Sequence, residues 1–317
     1  MLSRDLRVVR LEAELLTGGR ELADPGALVW IDCTPTPENL AWLGERFGFH
    51  PLALEDCAHE DQRPKFEEYP GNLFAVIHRI AKAPDDSGLL SHELHAFLTP
   101  EALVTVHLCP LAEIDRVFEH CCTDREGLGR GPDFALYQVW DAVTDAHFAV
   151  GDDLTDGIDE LGAEVVADAG AGESELLGRI LQARRNLGHL RRQLAPQREV
   201  FSALSRQADA RVRPVNAPYF RDLTDHLLRI TEEIDVGRDL LGSTMDAYLS
   251  TVNNRLSVVV ARLTLLSTIF LPLTFLTGFF GMNLEIIPAA VAKGFVIASM
   301  ILLPPAMLLW FRRRGWM

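Results

Sequence analysis

TIFLPLTFLTGFFGMNLEIIP, residues Thr268–Pro288, is the part of the sequence that decides the fold. Most of it belongs to an apolar run, Leu263–Leu284, in which 22 consecutive residues have no charged side chain. A helix of about 20 apolar residues crosses the hydrocarbon core of a bilayer, which is ~30 Å thick. This run is therefore predicted to span a membrane as a helix.

A second apolar run follows after a connection of nine residues, 285–293. It covers Gly294–Phe311, 18 residues without a charge, and contains the pair Pro304-Pro305, which we expect to kink the helix because proline has no N–H to donate. Two such runs could also be buried helices of a soluble core. A short connection between two runs of this length favours a membrane hairpin, so we predict transmembrane segments at 263–284 and 294–311.

The arginines near the two segments predict their orientation. Arg255 and Arg262 precede the first segment, and Arg312–Arg314 follow the second within a basic tail, 312–317. Positive charge flanking the segments on one side places that side in the cytoplasm, so both termini are predicted to be cytoplasmic and the loop 285–293 external. The first ten residues, MLSRDLRVVR, contain no apolar signal segment. We expect a multi-pass protein of the cell (inner) membrane.

The part of the chain before the apolar runs is strongly acidic. The whole chain has a formal net charge of −15, and residues 1–262 contain 26 basic and 44 acidic side chains. Such a surface argues against nucleic acid as a partner and suits divalent cations. The sequence shows neither a phosphate-binding nor a dinucleotide glycine motif and no nucleophile–base pairing, so we expect no nucleotide partner, no organic cofactor and no enzyme activity.

Residues 1–130 are predicted to form a cytoplasmic α/β domain, because strand-like and helix-like runs alternate there. Ala27–Cys33 (ALVWIDC) is typical of a buried strand, and a helix is predicted over Pro37–Phe47 with Thr36 as its cap. The other predicted elements are strands at Leu73–Ile80, Leu94–Leu98 and Ala102–Leu108 and a helix at Leu111–Cys121.

The next part, 131–213, is predicted to form long cytoplasmic helices. Its apolar residues recur every three or four positions over 139–165 and again over 176–194. This spacing places them on one side of a helix, which would pack against a neighbouring element.

A stalk helix over 214–262 is predicted to continue into the first transmembrane segment. A third apolar series covers 223–252, and after the breaking sequence RVRPVNAP (211–218) no proline occurs before Pro272. The predicted fold class is therefore an N-terminal α/β domain followed by long helices, a stalk continuous with the first transmembrane helix, and two C-terminal transmembrane helices.

The tripeptide Gly281-Met282-Asn283 lies where the first transmembrane segment meets the outside. Mg²⁺ gives up its water reluctantly, so carboxamide oxygens that accept hydrogen bonds from this water could hold a hydrated ion. The alternative is an ordinary helix C-terminus, where Gly or Asn adopts the left-handed conformation.

The sequence resembles the CorA family of magnesium channels, including the related ZntB branch of zinc transporters. That family has a GMN tripeptide that closes the first span after a PLT-containing run, here Pro272-Leu273-Thr274. The resemblance covers nearly the whole chain. Further matching segments are Leu54–Asp56, Gln62–Lys65, Leu103–His107, Tyr219–Asp222, Asp225-His226, Arg238-Asp239, Asp246–Ser250 and Arg312–Trp316.

The resemblance implies a homopentamer in which the first transmembrane helix of each subunit lines a central pore. Gly281, Met282 and Asn283 would form the selectivity filter. The pore-lining residues would be Thr274, Ser267 and Ser257, and the hydrophobic gate would be Val260 and Leu263. Spacings of three, three, four and seven place these last five on one side of a helix, although the two gate residues could equally be ordinary packing residues.

The resemblance also implies regulatory Mg²⁺ bound between neighbouring cytoplasmic domains. Asp222 matches the stalk position for this ion, and its partner would be Asp85 or Asp86. Bound cation would favour the closed state, and its loss would let like charges separate the subunits. For each of these carboxylates the alternative is an ordinary solvated surface.

The function implied is passive transport of Mg²⁺, with Co²⁺ and Ni²⁺ as further ions, through a lipid bilayer. Ser257 stands where the family has an Asn, and the external loop has Glu285 as its only acid, so the transported ion stays open. One alternative is a ZntB-like Zn²⁺ transporter, and Glu285 after the tripeptide favours Mg²⁺ over it. Another is a membrane-anchored sensor that conducts nothing.

Overall fold

The computed structural model describes residues 6–11, 28–84, 88–123, 130–167, 173–206, 211–281 and 289–314. The chain divides into two compact units, 1–245 and 246–317. The first unit contains a sheet and long helices, and the second contains the two apolar segments.

The described elements have the following bounds. The strands are β1 (Leu6–Leu11), β2 (Leu28–Cys33), β3 (Lys65–Tyr69), β4 (Asn72–Lys82), β5 (Leu89–Leu98) and β6 (Ala102–Val106). The helices are α1 (Pro37–Phe47), α2 (Pro51–Ala58), α3 (Ala112–Thr123), α4 (Pro132–Val166), α5 (Glu173–Arg206), α6 (Ala217–Gly281) and α7 (Ala289–Arg313).

The six strands form one mixed sheet in the order β1-β2-β6-β5-β4-β3. β1, β2 and β6 are parallel, and the remaining neighbours are antiparallel. The predicted strands correspond to β2, β4, β5 and β6, whereas β1, β3 and helix α2 were not predicted. β5 begins at Leu89, five residues before the predicted start, because it pairs with β4 along ten residues.

Helix α1 begins and ends as its sequence predicts. The Thr36 hydroxyl accepts a hydrogen bond from the Asn39 N–H, and Pro37 occupies the first turn, where its missing N–H costs nothing. Gly48 ends the helix at φ 66°, a conformation that favours glycine. Leu40 and Leu43 of this helix are buried against one face of the sheet, together with Ala53 and Cys57 of α2, in a core completed by sheet residues that include Ile31, Phe74, Phe97 and Val104.

Helices α4 and α5 cover part of an open edge of β4. β3 pairs with β4 only as far as Val76, which leaves the following strand N–H groups without a partner strand on that side. The His78 N–H donates to Gln197 Oε1, and the Ile80 N–H donates to His147 Nε2 at 3.3 Å. Burial, aided by the charge of Arg79, lowers the pKa of His147 to about 3, so its imidazole is neutral and can accept this hydrogen bond.

A buried carboxylate ties the start of α4 to the segment before α6. Asp133 is 1% exposed and accepts hydrogen bonds from the Arg213 N–H at 2.9 Å and from Asn216 Nδ2 at 2.8 Å. The Arg213 guanidinium completes the pair at 3.0 Å. Because a buried charge is stable only when it is paired and hydrogen-bonded, this contact fixes where α6 begins.

The first part of α6 packs through the apolar series that predicted it. Its buried residues are Phe220, Leu223, Leu227, Ile230, Ile234, Gly237, Leu241 and Thr244. Gly237 allows close packing, because a side-chain carbon there would lie 3.6 Å from Ile158 Cδ1 of α4.

The second unit contains the end of α6 and helix α7. Both are long and apolar enough to cross a membrane, and almost none of their apolar residues is buried within the chain. α6 continues without interruption from the predicted stalk into the predicted first transmembrane segment, as expected, and its described part ends at Gly281. α7 includes both Pro304 and Pro305. Phe280 and Phe295 contact each other at this end of the hairpin, with ring centroids 5.5 Å apart.

Candidate functional site

The five residues predicted to face a pore lie on one exposed side of α6. Ser257, Val260, Leu263, Ser267 and Thr274 are all exposed in the isolated chain, with Val260 and Leu263 at 52% and 63%. At 3.6 residues per turn, the five positions fall within an arc of about 120°. We call this set the α6 stripe. Large apolar side chains exposed on a helix of this composition need either lipid or another subunit as neighbour.

Two hydroxyls of the α6 stripe donate their protons to the helix itself. Ser257 Oγ donates to the Asn253 carbonyl and Thr274 Oγ1 to the Phe270 carbonyl, each at 2.9 Å. Each oxygen therefore presents only lone pairs to its surroundings. Oxygens of this kind accept hydrogen bonds from water, as a hydrated cation requires.

The predicted selectivity filter is described only in part. Gly281 is the last residue of α6, whereas Met282 and Asn283 lie outside the described residues. Asp85 and Asp86, the predicted partners of Asp222, also lie outside them.

Asp222 lies beside a group of ligand-type side chains that the sequence analysis did not single out. Its carboxylate is 3.6 Å from His226 Nε2, one turn along α6. One ligand atom each of Asp141 and Asp145 of α4 and of His226 lie within 4.8 Å of one another. We call Asp141, Asp145, Asp222 and His226 the α4–α6 acidic cluster. Within the part of the chain that the structure describes, Asp141, Asp145 and His226 are the only three such groups close enough to share one ion.

The electrostatics of the α4–α6 acidic cluster suit a cation. Burial and the neighbouring charge of Asp145 raise the pKa of Asp141, and Asp222 acts in the same direction. Burial and the charge of Asp141, to which it is hydrogen-bonded, raise the pKa of the Tyr137 hydroxyl. His226 Nδ1 is buried and has no hydrogen-bond partner among the described residues. A divalent ion would neutralise the crowded carboxylates, and its size and charge fit this donor set.

The sequence contained a signal for this cluster. Asp141 and Asp145, like Asp222 and His226, are four residues apart, so each pair lies on one side of its helix. What the sequence does not contain is the rotation of α4 against α6 that makes these two sides meet.

Comparison with known proteins places the fold and the motifs in one family. The family model described as "CorA-like Mg²⁺ transporter protein" matches residues 25–313. The cobalt/magnesium transport protein CorA of Thermotoga maritima is 33% identical over 305 residues, which cover 93% of this chain and 85% of that protein. The corresponding protein of Methanocaldococcus jannaschii is 27% identical, with 91% of each chain covered.

A solved structure agrees along almost the entire chain. The complete structure of the CorA magnesium transporter from Methanocaldococcus jannaschii superimposes with a TM-score of 0.80, at 25% identity and with 94% of both chains covered. The sheet, the long helices and the two C-terminal apolar helices therefore belong to a fold that the two proteins share.

Proposed function

The chain belongs to the CorA-like Mg²⁺ transporter family, and we propose that it is a passive channel for hydrated Mg²⁺ that also admits Co²⁺ and Ni²⁺. The T. maritima relative is named for cobalt and magnesium transport. The observation that carries the proposal is the α6 stripe. Its Ser257 and Thr274 hydroxyls donate to carbonyls of their own helix, so their oxygens can only accept further hydrogen bonds, and the stripe is exposed along an otherwise apolar helix.

Five copies of α6 would surround the pore, with the α6 stripe facing inward. Each polar position then becomes a ring of five oxygens that accept hydrogen bonds from the water around the ion. Val260 and Leu263 would form apolar rings near the cytoplasmic end. Such a constriction closes a pore by excluding water, without a moving plug.

The filter would be formed by Gly281, Met282 and Asn283 of each subunit. Asn283 supplies an amide oxygen at the outer mouth, and Gly281 at the end of α6 supplies space for the chain to turn. A neutral amide binds the water coat of Mg²⁺ without stripping it, so the ion enters and leaves easily.

Transport would need no nucleotide. Moving two positive charges inward through about 100 mV is favourable by roughly 4–5 kcal/mol. The basic residues Arg255, Arg262 and Arg312–Arg314 favour an arrangement with 1–262 and 312–317 in the cytoplasm and 285–293 outside the cell membrane.

The α4–α6 acidic cluster would bind a regulatory cation. Within a subunit the ion would join Asp141 and Asp145 to the Asp222–His226 side of α6. Without it, the carboxylates repel one another and the contact between α4 and α6 weakens, which favours the open state. The imidazole nitrogen makes the cluster suitable for Co²⁺, Ni²⁺ and Zn²⁺ as well as Mg²⁺. Asp85 and Asp86 remain proposed ligands between subunits.

The experiment measures cation uptake by purified protein in lipid vesicles whose membrane potential is negative inside. We expect Mg²⁺ uptake that needs no proton gradient, and we expect Asn283→Ala to abolish it. Uptake of Zn²⁺ alone, driven by protons, would identify the zinc branch instead. Undiminished Mg²⁺ uptake by Asn283→Ala would contradict the proposed filter, and absence of uptake for every cation would leave only the membrane-anchored sensor.

A further inference from the structure

A basic cleft lies between the start of β5 and helix α5, away from the α4–α6 acidic cluster and within the first unit. Its volume is about 400 Å³. Its walls are Gly88 and Leu89 on the sheet side and Gln182, Arg184, Arg185, Asn186, Gly188, His189 and Arg192 on the helix. We call it the arginine cleft.

Two arginines of the arginine cleft have no acidic partner among the described residues. α5 contains seven arginines and three glutamates in a chain of net charge −15. Arg179 and Arg191, outside the cleft, pair with Glu164 at 2.6 Å and with Asp235 at 3.1 Å. Over the described ranges, neither Arg184 nor Arg192 has a carboxylate within ion-pair distance. Two positive charges that line one cleft without an acidic partner in the described ranges make a surface suited to an anion.

A chain of hydrogen bonds along α5 orients the donors of the cleft. Arg185 donates through Nε to Gln182 Oε1 at 3.2 Å and through Nη2 to the same oxygen. Gln182 Nε2 in turn donates to Asn186 Oδ1 at 3.1 Å. These three bonds use the amide oxygens of Gln182 and Asn186 as acceptors, and N–H groups of Arg185 and Asn186 can still donate to a ligand.

Gly88 allows the sheet to approach these amides closely. Its φ is +147°, and a side-chain carbon at this position would lie 2.9 Å from Gln182 Nε2 and 3.2 Å from Asn186 Oδ1. The positive φ favours glycine at this position, and the missing side chain lets the start of β5 lie against these two amides.

The environment of the arginine cleft also shifts the pKa of the neighbouring His189 imidazole. Burial, followed by the charge of Arg192, lowers the pKa of His189. The neutral form of His189 is therefore favoured, and its imidazole N–H can serve as one more donor in the cleft.

We propose that the arginine cleft binds a multivalent phosphate anion of about the size of pyrophosphate. Guanidinium groups recognise phosphate through paired N–H donors, and three of them match the charge of such an anion. A volume of about 400 Å³ is within the range of small-ligand sites. This site is separate from the pore and does not depend on the proposed transport.

The test is calorimetric titration of the full-length protein in detergent with pyrophosphate, in buffer free of phosphate and divalent cations. We expect saturable binding of one anion per subunit. Arg184→Gln and Arg192→Gln should each weaken it by about tenfold or more, because each removes a charge-assisted contact. Arg198→Gln removes the same charge from the same helix outside the cleft and should change the affinity by less than about twofold, if binding depends on geometry rather than on net charge.

Four results would overturn the proposal. The first is absence of binding by wild-type protein whose melting temperature shows it to be folded. The second is equal weakening by all three arginine variants. The third is binding that appears only after Asp85→Asn with Asp86→Asn, because the arginines would then have the chain's own carboxylates as partners. Attachment to phosphatidic-acid vesicles without pyrophosphate binding would likewise refute it in favour of a lipid headgroup.

Discussion

His147 should make the first unit sensitive to mild acid. Its imidazole is 1% exposed and accepts a hydrogen bond from the Ile80 N–H of the open β4 edge. The pKa is about 3 in the folded chain, against about 6.5 for an unperturbed histidine. Between these two pKa values, the imidazole binds a proton in the unfolded chain but not in the folded chain. The free energy of unfolding therefore decreases as the pH falls through this window.

The expected size of the effect follows from the two pKa values. Lowering the pH from 7 to 5 should reduce the free energy of unfolding by about 2 kcal/mol through His147 alone, and the full window is worth about 5 kcal/mol. For a unit of this size, 2 kcal/mol corresponds to a decrease of about 4–8 °C in melting temperature.

The assay is thermal unfolding of the full-length protein in detergent at pH 7 and pH 5, followed by tryptophan fluorescence. His147→Gln is the matched control, because its side-chain oxygen can accept the Ile80 N–H without titrating. Other groups titrate equally in both proteins, so the difference between their pH-induced shifts isolates His147. If wild type and His147→Gln lose the same number of degrees at pH 5, the reasoning is refuted.

The remaining predictions concern conduction and its regulation. Thr274→Val should reduce Mg²⁺ flux by about tenfold because a ring of water-binding oxygens is lost. Thr268→Val should keep wild-type flux, because Thr268 makes the same hydroxyl bond to its own helix but lies about 120° around that helix from Thr274. Val260→Asn should maintain flux at high cytosolic Mg²⁺, measured in vesicles loaded with Mg²⁺ on the cytoplasmic side, because a polar ring stays wet; closure like that of wild type would count against the gate. Added Co²⁺ should raise the melting temperature of the wild type, and Asp145→Asn and His226→Gln should each lose most of this rise; an unchanged rise in both would exclude the α4–α6 acidic cluster as the ion site.

The long helices and the two apolar segments were predictable because their signals are local and repetitive. The buried series from Phe220 to Leu241 has the spacing that predicted α6, and Thr36 caps α1 as its sequence indicates. Uninterrupted apolar runs of 18 and 22 residues likewise need no tertiary information.

The parts that were missed depend on pairing between distant segments. β3, with the sequence KFEEY, has little strand character of its own and exists because it pairs with β4. β1 is added to the parallel side of the sheet by pairing with β2. The α4–α6 acidic cluster was not predicted for the same reason. Its two pairs of side chains lie on separate helices and form one site only when these helices pack together.

The measurement that tests the central claim most directly is modification of single cysteines in α6, in protein whose native cysteines have been replaced. With Ser267→Cys, a water-soluble thiol reagent should react and block Mg²⁺ flux into vesicles, because this position faces the aqueous pore. With Ile269→Cys, at a position about 160° around the helix from Ser267, the same reagent should leave flux unchanged. Flux that persists after complete modification at position 267, or equal reaction at both positions, would contradict a pore lined by this side of α6.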